Sequence, residues 1–285
     1  MATDALVLAR PAVPLPERAA SVPIVERQRR RVELGDVLID QVTLDGALDH
    51  LRGFLLAGLP RQVVTVNLDF LSIASRDAMF RQTINAADLA VADGMPLVWL
   101  SRLRGEPLPE RVAGVDLVDG VCRLAAEVDE SVYLLGARPG VAEKAAEQLQ
   151  VHHPGLRIAG TCSPPHRPLT QHEDDCITQQ IRDTSPGVLL VALGAPRQDL
   201  WIRDHQARLG VPVAMGVGCT FDVLARTLGR APVWMQRAGL EWAFRLGREP
   251  GRLWQRYLVN DLPLFARLLF STAHAPSPID VAVPT

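Results

Sequence analysis

The chain has 285 residues, 48% of them apolar and 22% charged, with a formal net charge of −2. That length suits one large α/β domain or two small ones around a substantial core. The near-neutral balance excludes bulk nucleic-acid binding through global basicity, so any basic face must be local.

Two further features of composition narrow the setting. Lys144 is the sole lysine, so phosphate contacts would be made by planar arginine forks rather than by point charges. The four cysteines, Cys122, Cys162, Cys176 and Cys219, are scattered without a C-x-x-C, which suits a reducing compartment. No window reaches about 18 uninterrupted apolar residues, so no membrane span is expected. Pro11, Pro14 and Pro16 interrupt any apolar leader.

In chain order, residues 1–30 show no period and read as a disordered arm, closed by the basic run Arg27-Gln28-Arg29-Arg30-Arg31. Strands and helices then alternate over residues 31–229. Gln62–Val66 is a β-branched strand, followed by one helical stretch from about Asp69 to Ala86. Leu89–Ala92 ends at Asp93-Gly94, and Val132–Leu135 ends at Gly136. Leu156–Thr161 is another strand; Val188–Leu193 ends at Gly194, and Val211–Met215 ends at Gly216-Val217-Gly218. Continuous apolar strands separated by helices predict an α/β fold with a Rossmann-like, doubly wound, mostly parallel sheet covered on both faces.

From Arg230 the pattern changes. Residues 230–273 carry Trp234, Trp242, Phe244 and Trp254 among Arg230, Arg237, Arg245, Arg248, Arg252, Arg256 and Arg267, against the acids Glu241, Glu249 and Asp261. Two amphipathic helices are predicted, broken at Glu249-Pro250-Gly251. A local excess of cations with aromatic side chains fits a membrane surface or a lipid pyrophosphate better than a merely solvated helix face. Residues 274–285 read as a disordered tail.

In a doubly wound sheet, ligands bind beyond the carboxyl ends of the strands. Thr65, Asn67, Asp93, Gly136, Gly194 and Gly218 converge there, which predicts one site. Gly216-Val217-Gly218-Cys219-Thr220-Phe221 is a partial dinucleotide fingerprint in which Gly218 brings an N–H toward a phosphate or merely makes a turn. Asp93 is either a general base or a cap for the helix beginning near Pro96. Cys162, His166, His172, Asp174 and Asp175 lack the paired spacing of a zinc site. There is no D-x-D pair to hold a cation against a sugar-nucleotide diphosphate.

Taken in order, six blocks resemble the WecG/TagA/CpsF family of bacterial glycosyltransferases. They are Thr65-Val66-Asn67; Ala92 to Val98; Glu110 to Asp116; Leu193 to Trp201; Gly216 to Asp222; and Arg230-Ala231-Pro232 through Glu241-Trp242, Arg245-Leu246 and Glu249-Pro250. The resemblance implies a hexosyltransferase that moves glucose, N-acetylmannosamine or its uronic acid from a UDP-sugar. The acceptor it implies is a polyprenyl-pyrophosphate-linked sugar on the inner leaflet of the cytoplasmic membrane, in cell-surface polysaccharide synthesis. It further implies inversion at the anomeric carbon and no metal or other cofactor. Asp93 falls on the family's proposed base, with Thr65 beside it. Asn67, Gly94, Arg111, Gly136, Gly194, Gln198, Gly218, Phe221 and Asp222 are expected to line the nucleotide-sugar pocket. Arg230, Arg237, Arg245, Arg248, Arg252 and Arg256 are expected to meet the acceptor's pyrophosphate or the membrane. Asp199 stands where the family usually has Glu. Homo-oligomerisation is left open, and the alternative to catalysis is a membrane-recruited nucleotide-binding scaffold.

Overall fold

The computed structural model describes residues 29–237 and 239–270. The segments expected to be disordered, save Arg29 and Arg30, and the last residues of the appendage lie outside them.

The first described elements form a hairpin that the sequence reading missed. β1 (Arg31–Leu34) pairs antiparallel with β2 (Val37–Asp40). Gly35 and Asp36 turn it, both at positive φ, as a two-residue hairpin loop requires. Arg31 is therefore no part of a solvated leader. Its guanidinium donates to the carbonyls of Asn85 and Ala87, both at 2.8 Å, and to Asp40 at 3.1 Å. Asp40 is buried and accepts the N–H of Ala90 at 2.8 Å, so the hairpin covers an edge strand of the main sheet.

That sheet has six strands: β3 (Gln62–Val66), β4 (Leu89–Ala92), β5 (Ser131–Gly136), β6 (Arg157–Cys162), β7 (Val188–Ala192) and β8 (Val213–Gly216). All pairs are parallel, in the order β4-β3-β8-β7-β5-β6. This is the doubly wound α/β architecture expected from the apolar runs. Nine helices of the core accompany it: α1 (Leu44–Ala57), α2 (Leu68–Ala74), α3 (Ala78–Ala86), α4 (Met95–Leu103), α5 (Gly114–Glu127), α6 (Val141–His152), α7 (Gln171–Thr184), α8 (Arg197–Leu209) and α9 (Thr220–Leu224).

Strand periodicity sorts the core into two layers. Val63, Val91, Leu134, Leu190 and Met215 face α1, α5, α6 and α9. On the other face Val64, Val66, Ala90 and Ala92 meet α2, α3, α4 and the hairpin, while Leu135, Leu189 and Val191 meet α7 and α8. Each fully buried aliphatic side chain contributes about 1.5–3 kcal/mol, which is why these runs carry no charge.

The single helix expected over 69–86 is two. α2 ends at Ser75, and Asp77 adopts an extended backbone and accepts the Phe80 N–H at 3.0 Å. An aspartate that can cap a new helix competes with continuation of the old one.

After the core come α10 (Val233–Arg237), α11 (Glu241–Arg248), α12 (Pro250–Trp254), a π-helical segment (Gln255–Asp261) and α13 (Leu262–Phe270). Pro250 in the first turn of α12 supplies the break. At the far end Leu268 is buried against Gly35 and the α4 side of the core, so the appendage is anchored at both ends.

Candidate active site

The N–H of Asp93 donates to Val66 O, which places the residue directly at the carboxyl end of β4. Its side chain is enclosed and accepts a hydrogen bond from the N–H of Gly114, in the first turn of α5. A Cβ on Gly114 would sit 3.3 Å from Asp93 Oδ2 and 3.7 Å from Thr65 Cγ2, so the close approach suits glycine. Asp93 does not cap α4; Gly94 does, without a side-chain bond. Burial raises the Asp93 carboxyl above the ordinary range; Arg245, Arg111 and the Gly114 N–H oppose it, and Asp116 adds to it. A carboxylate tuned upward yet flanked by cations is what proton abstraction near neutral pH needs.

The cations come from two parts of the chain. Arg111 lies in the loop before α5 and pairs with Glu241 in the first turn of α11. Arg230 bonds Asp116 at 2.7 Å and lies 3.9 Å from Glu241. Arg245 reaches from the last turn of α11 to Cys219 Sγ at 3.2 Å. Arg256 meets Asp69 at 3.2 Å. Between core and appendage lies a cavity of about 290 Å³. Asn67, Asp93, Gly94, Arg111, Arg245 and Arg256 all line it, with an apolar wall that includes Trp99, Trp242 and Phe265.

The other expected site residues gather elsewhere along the same sheet edge. Thr65 is buried beneath the site and donates to Gly216 O at 3.3 Å, tying β3 to β8. Gly136 and Gly194 end β5 and β7 at positive φ. Arg138, just after β5, pairs with Asp222 at 3.1 Å across the α9 loop. These groups lie beyond the ends of β5, β7 and β8.

The Gly218 N–H is taken up inside the protein by Gln198 Oε1 at 3.0 Å, so in this structure it serves the turn, and Gln198 holds it. Phe221 is wholly buried in the α1, α5, α6 and α9 layer, where it positions α9. Arg230 is engaged in ion pairs, and Arg248 lies over the Phe244 ring at 5.6 Å. The side chains of Arg237 and Arg252 lie outside the described residues.

Several lining groups escaped the sequence reading. Asp69, Trp99, Tyr257 and Asp261 all face the cavity. Only the placement of Asp69 two residues past the strand-end Asn67 gave a local signal. Asp174, weighed as a metal ligand, is instead bonded to His205 at 2.6 Å and Trp201 at 2.7 Å. Among the described residues no three His, Cys, Asp or Glu side chains gather in metal-binding geometry.

Comparison with known proteins places this geometry. The family model described as "Glycosyl transferase WecG/TagA/CpsF family" matches residues 32–277. A relative from Staphylococcus aureus strain MW2 is 28% identical over 238 residues, covering 82% of this chain and 90% of its own. Its counterpart from strain NCTC 8325 / PS 47 is 29% identical over 217 residues, covering 75% of this chain and 84% of its own. Both are named N-acetylglucosaminyldiphosphoundecaprenol N-acetyl-beta-D-mannosaminyltransferase. The match runs from the hairpin through the appendage that closes over Asp93, and the chain belongs to the WecG/TagA/CpsF family of glycosyltransferases.

Proposed function

We propose that the chain transfers a hexose-type sugar from a UDP-sugar to a sugar carried on a polyprenyl pyrophosphate, with inversion and without a metal. The observation that carries this reading is Asp93: a half-buried carboxylate between a core arginine and an appendage arginine, opening on a cavity with an apolar wall. The relatives' names give N-acetylmannosamine as the first donor sugar to try and an N-acetylglucosamine-bearing lipid as the first acceptor.

Asp93 takes the proton from the acceptor hydroxyl. That oxygen attacks the anomeric carbon from the face opposite the nucleotide. The bond from this carbon to the β-phosphate oxygen breaks, and UDP leaves with the electron pair. Inversion follows from one in-line displacement. UDP lies beyond β5, β7 and β8, where Gly136 and Gly194 allow close backbone approach. Arg245 and Arg111 face the developing negative charge, and fixed donors at a leaving group are worth several kcal/mol in a water-poor site. No D-x-D pair is present to seat a divalent cation, and arginine forks are the phosphate-binding groups available.

The appendage also supplies a membrane face. Trp234, Trp254, Leu258, Val259, Leu262 and Phe270 are all exposed. No described helix is long and apolar enough to cross a membrane. Apolar side chains among arginines support reversible attachment to an anionic surface, which we place at the inner face of the cytoplasmic membrane.

The test is UDP release by the purified full chain with a panel of UDP-sugars and a short-chain prenyl-pyrophosphoryl N-acetylglucosamine, in EDTA. Turnover with one donor is expected. Silence across the panel, with no binding of UDP, would overturn the reading.

A further inference from the structure

The seven residues Gln255–Asp261 form a π-helix, a conformation that is rare beyond a single turn and concentrates at functional sites. Its widened register puts Tyr257, Leu258 and Asp261 on the cavity wall, opposite Asp69 in the first turn of α2. Arg256 stands between the two carboxylates, with Nη2 at 3.2 Å from Asp69 Oδ2 and Nε at 4.0 Å from Asp261 Oδ2.

This cluster is incompletely satisfied. Asp261 is only 4% exposed, yet its Oδ1 has no hydrogen-bond partner, and neither has Arg256 Nε. Buried polar groups are nearly always paired, because leaving one unmade costs about 1–3 kcal/mol. Here an acceptor and a donor lack partners just behind a cavity wall that Asp69, Arg256 and Asp261 line. Beside them Trp242 and Tyr257 meet edge to face at 6.2 Å and give the cavity an aromatic side. Carboxylates and a guanidinium next to aromatic rings suit a sugar ring, which carries hydroxyl groups at its rim and C–H groups on its faces.

We propose that Asp69, Arg256 and Asp261 form the subsite that grips the hydroxyl groups of the acceptor's sugar and thereby sets which sugar is accepted. The proposal rests on the transferase reading above, in which one hydroxyl of that sugar faces Asp93 in the same cavity. Asp69 and Asp261 accept from ring hydroxyls, and the Arg256 guanidinium donates to another. Burial and the neighbouring Asp69 push the Asp261 carboxyl up to about 7, against Arg256 and Arg76, so near neutral pH it exists partly as the acid and can donate too. Because Arg256 and Asp261 come from the appendage and Asp69 from the core, the subsite is complete only when the two are docked.

A docking latch without sugar contacts would use the same three side chains, and the experiment separates the two roles. Tryptophan fluorescence of the full chain is titrated with a short-chain prenyl pyrophosphate and with the same lipid bearing N-acetylglucosamine. The wild type is expected to prefer the sugar-bearing lipid by about tenfold or more. Asp261→Asn and Asp69→Asn each lose most of that preference, while affinity for the bare lipid and for UDP stays within about twofold. Equal weakening toward both lipids would overturn the subsite in favour of a latch. Full retention of the preference in both variants would overturn it, as would a wild type without preference. A wild type that binds neither lipid would overturn the acceptor reading and this proposal together.

Discussion

Arg111, in the core loop before α5, donates to Glu241 in the first turn of α11, so a residue beside the Asp93 carboxylate is paired with the appendage that covers it. The pair is mostly screened from water, with side chains 14% and 20% exposed. Docking of the appendage and placement of Arg111 are thus one event.

Glu241→Gln keeps the size of the side chain and removes its charge. A hydrogen bond to a charged group is worth about 1.5–3 kcal/mol, so docking should weaken by roughly 10- to 100-fold. Steady-state kinetics should show a loss in kcat/KM for the acceptor. UDP binding, measured by calorimetry, should change little. Unaltered acceptor kinetics would show that the pair does not hold the appendage closed.

Asp93 predicts a pH profile. Its carboxyl is raised by burial and lowered by Arg245, so activity should rise with pH along a limb above the ordinary carboxylate range. Arg245→Ala removes a lowering charge and should move that limb to higher pH while reducing kcat. A limb that stays in place would disconnect Arg245 from the base.

Asp199 predicts a stability profile. It is fully buried, and burial pushes its carboxyl from 3.8 to about 7 against the Gln198 amide and its own backbone N–H. The neighbouring Gln198 amide offsets only part of that cost. Between about pH 4 and 7 the folded protein keeps a proton that the unfolded chain has lost. Stability therefore falls as pH rises through that window, by at most about 4 kcal/mol from this group, and levels off above it. Thermal melts of Asp199→Asn should lose that part of the slope, leaving the similar contribution of Asp261.

Gly136 predicts a backbone requirement. Its φ is +112°, and a Cβ there would meet Ala192 O at 2.5 Å. Gly136→Ala should cost about 2–3 kcal/mol in chemical denaturation, because neither backbone can yield without breaking the β5–β7 ladder. A melting temperature equal to wild type would contradict that close approach.

The parallel sheet was legible because its strands are buried on both faces and read as unbroken apolar runs such as Val188-Leu189-Leu190-Val191. The hairpin was not, since Val32-Glu33-Leu34 and Val37-Leu38-Ile39 are too short to show a period. The break before Asp77 was hidden by an apolar stretch that fits one helix as well as two. At the site, Asp93, Asn67 and Arg111 were legible from their strand-end positions and from ordered motifs. The burial of Phe221 was not legible, because a motif position does not reveal which way a side chain turns. The meeting of Arg245 with Cys219, and of Asp261 with Asp69, depends on how the appendage folds back, and no local pattern encodes it.

Asp93 as the base of a metal-independent sugar transfer is tested most directly by single-turnover kinetics of Asp93→Asn. With donor and acceptor saturating and EDTA present, transfer should fall by about 10²–10⁴-fold while UDP affinity is retained. Transfer within a fewfold of wild type would contradict the account, and proton abstraction would then belong to another group in the cavity.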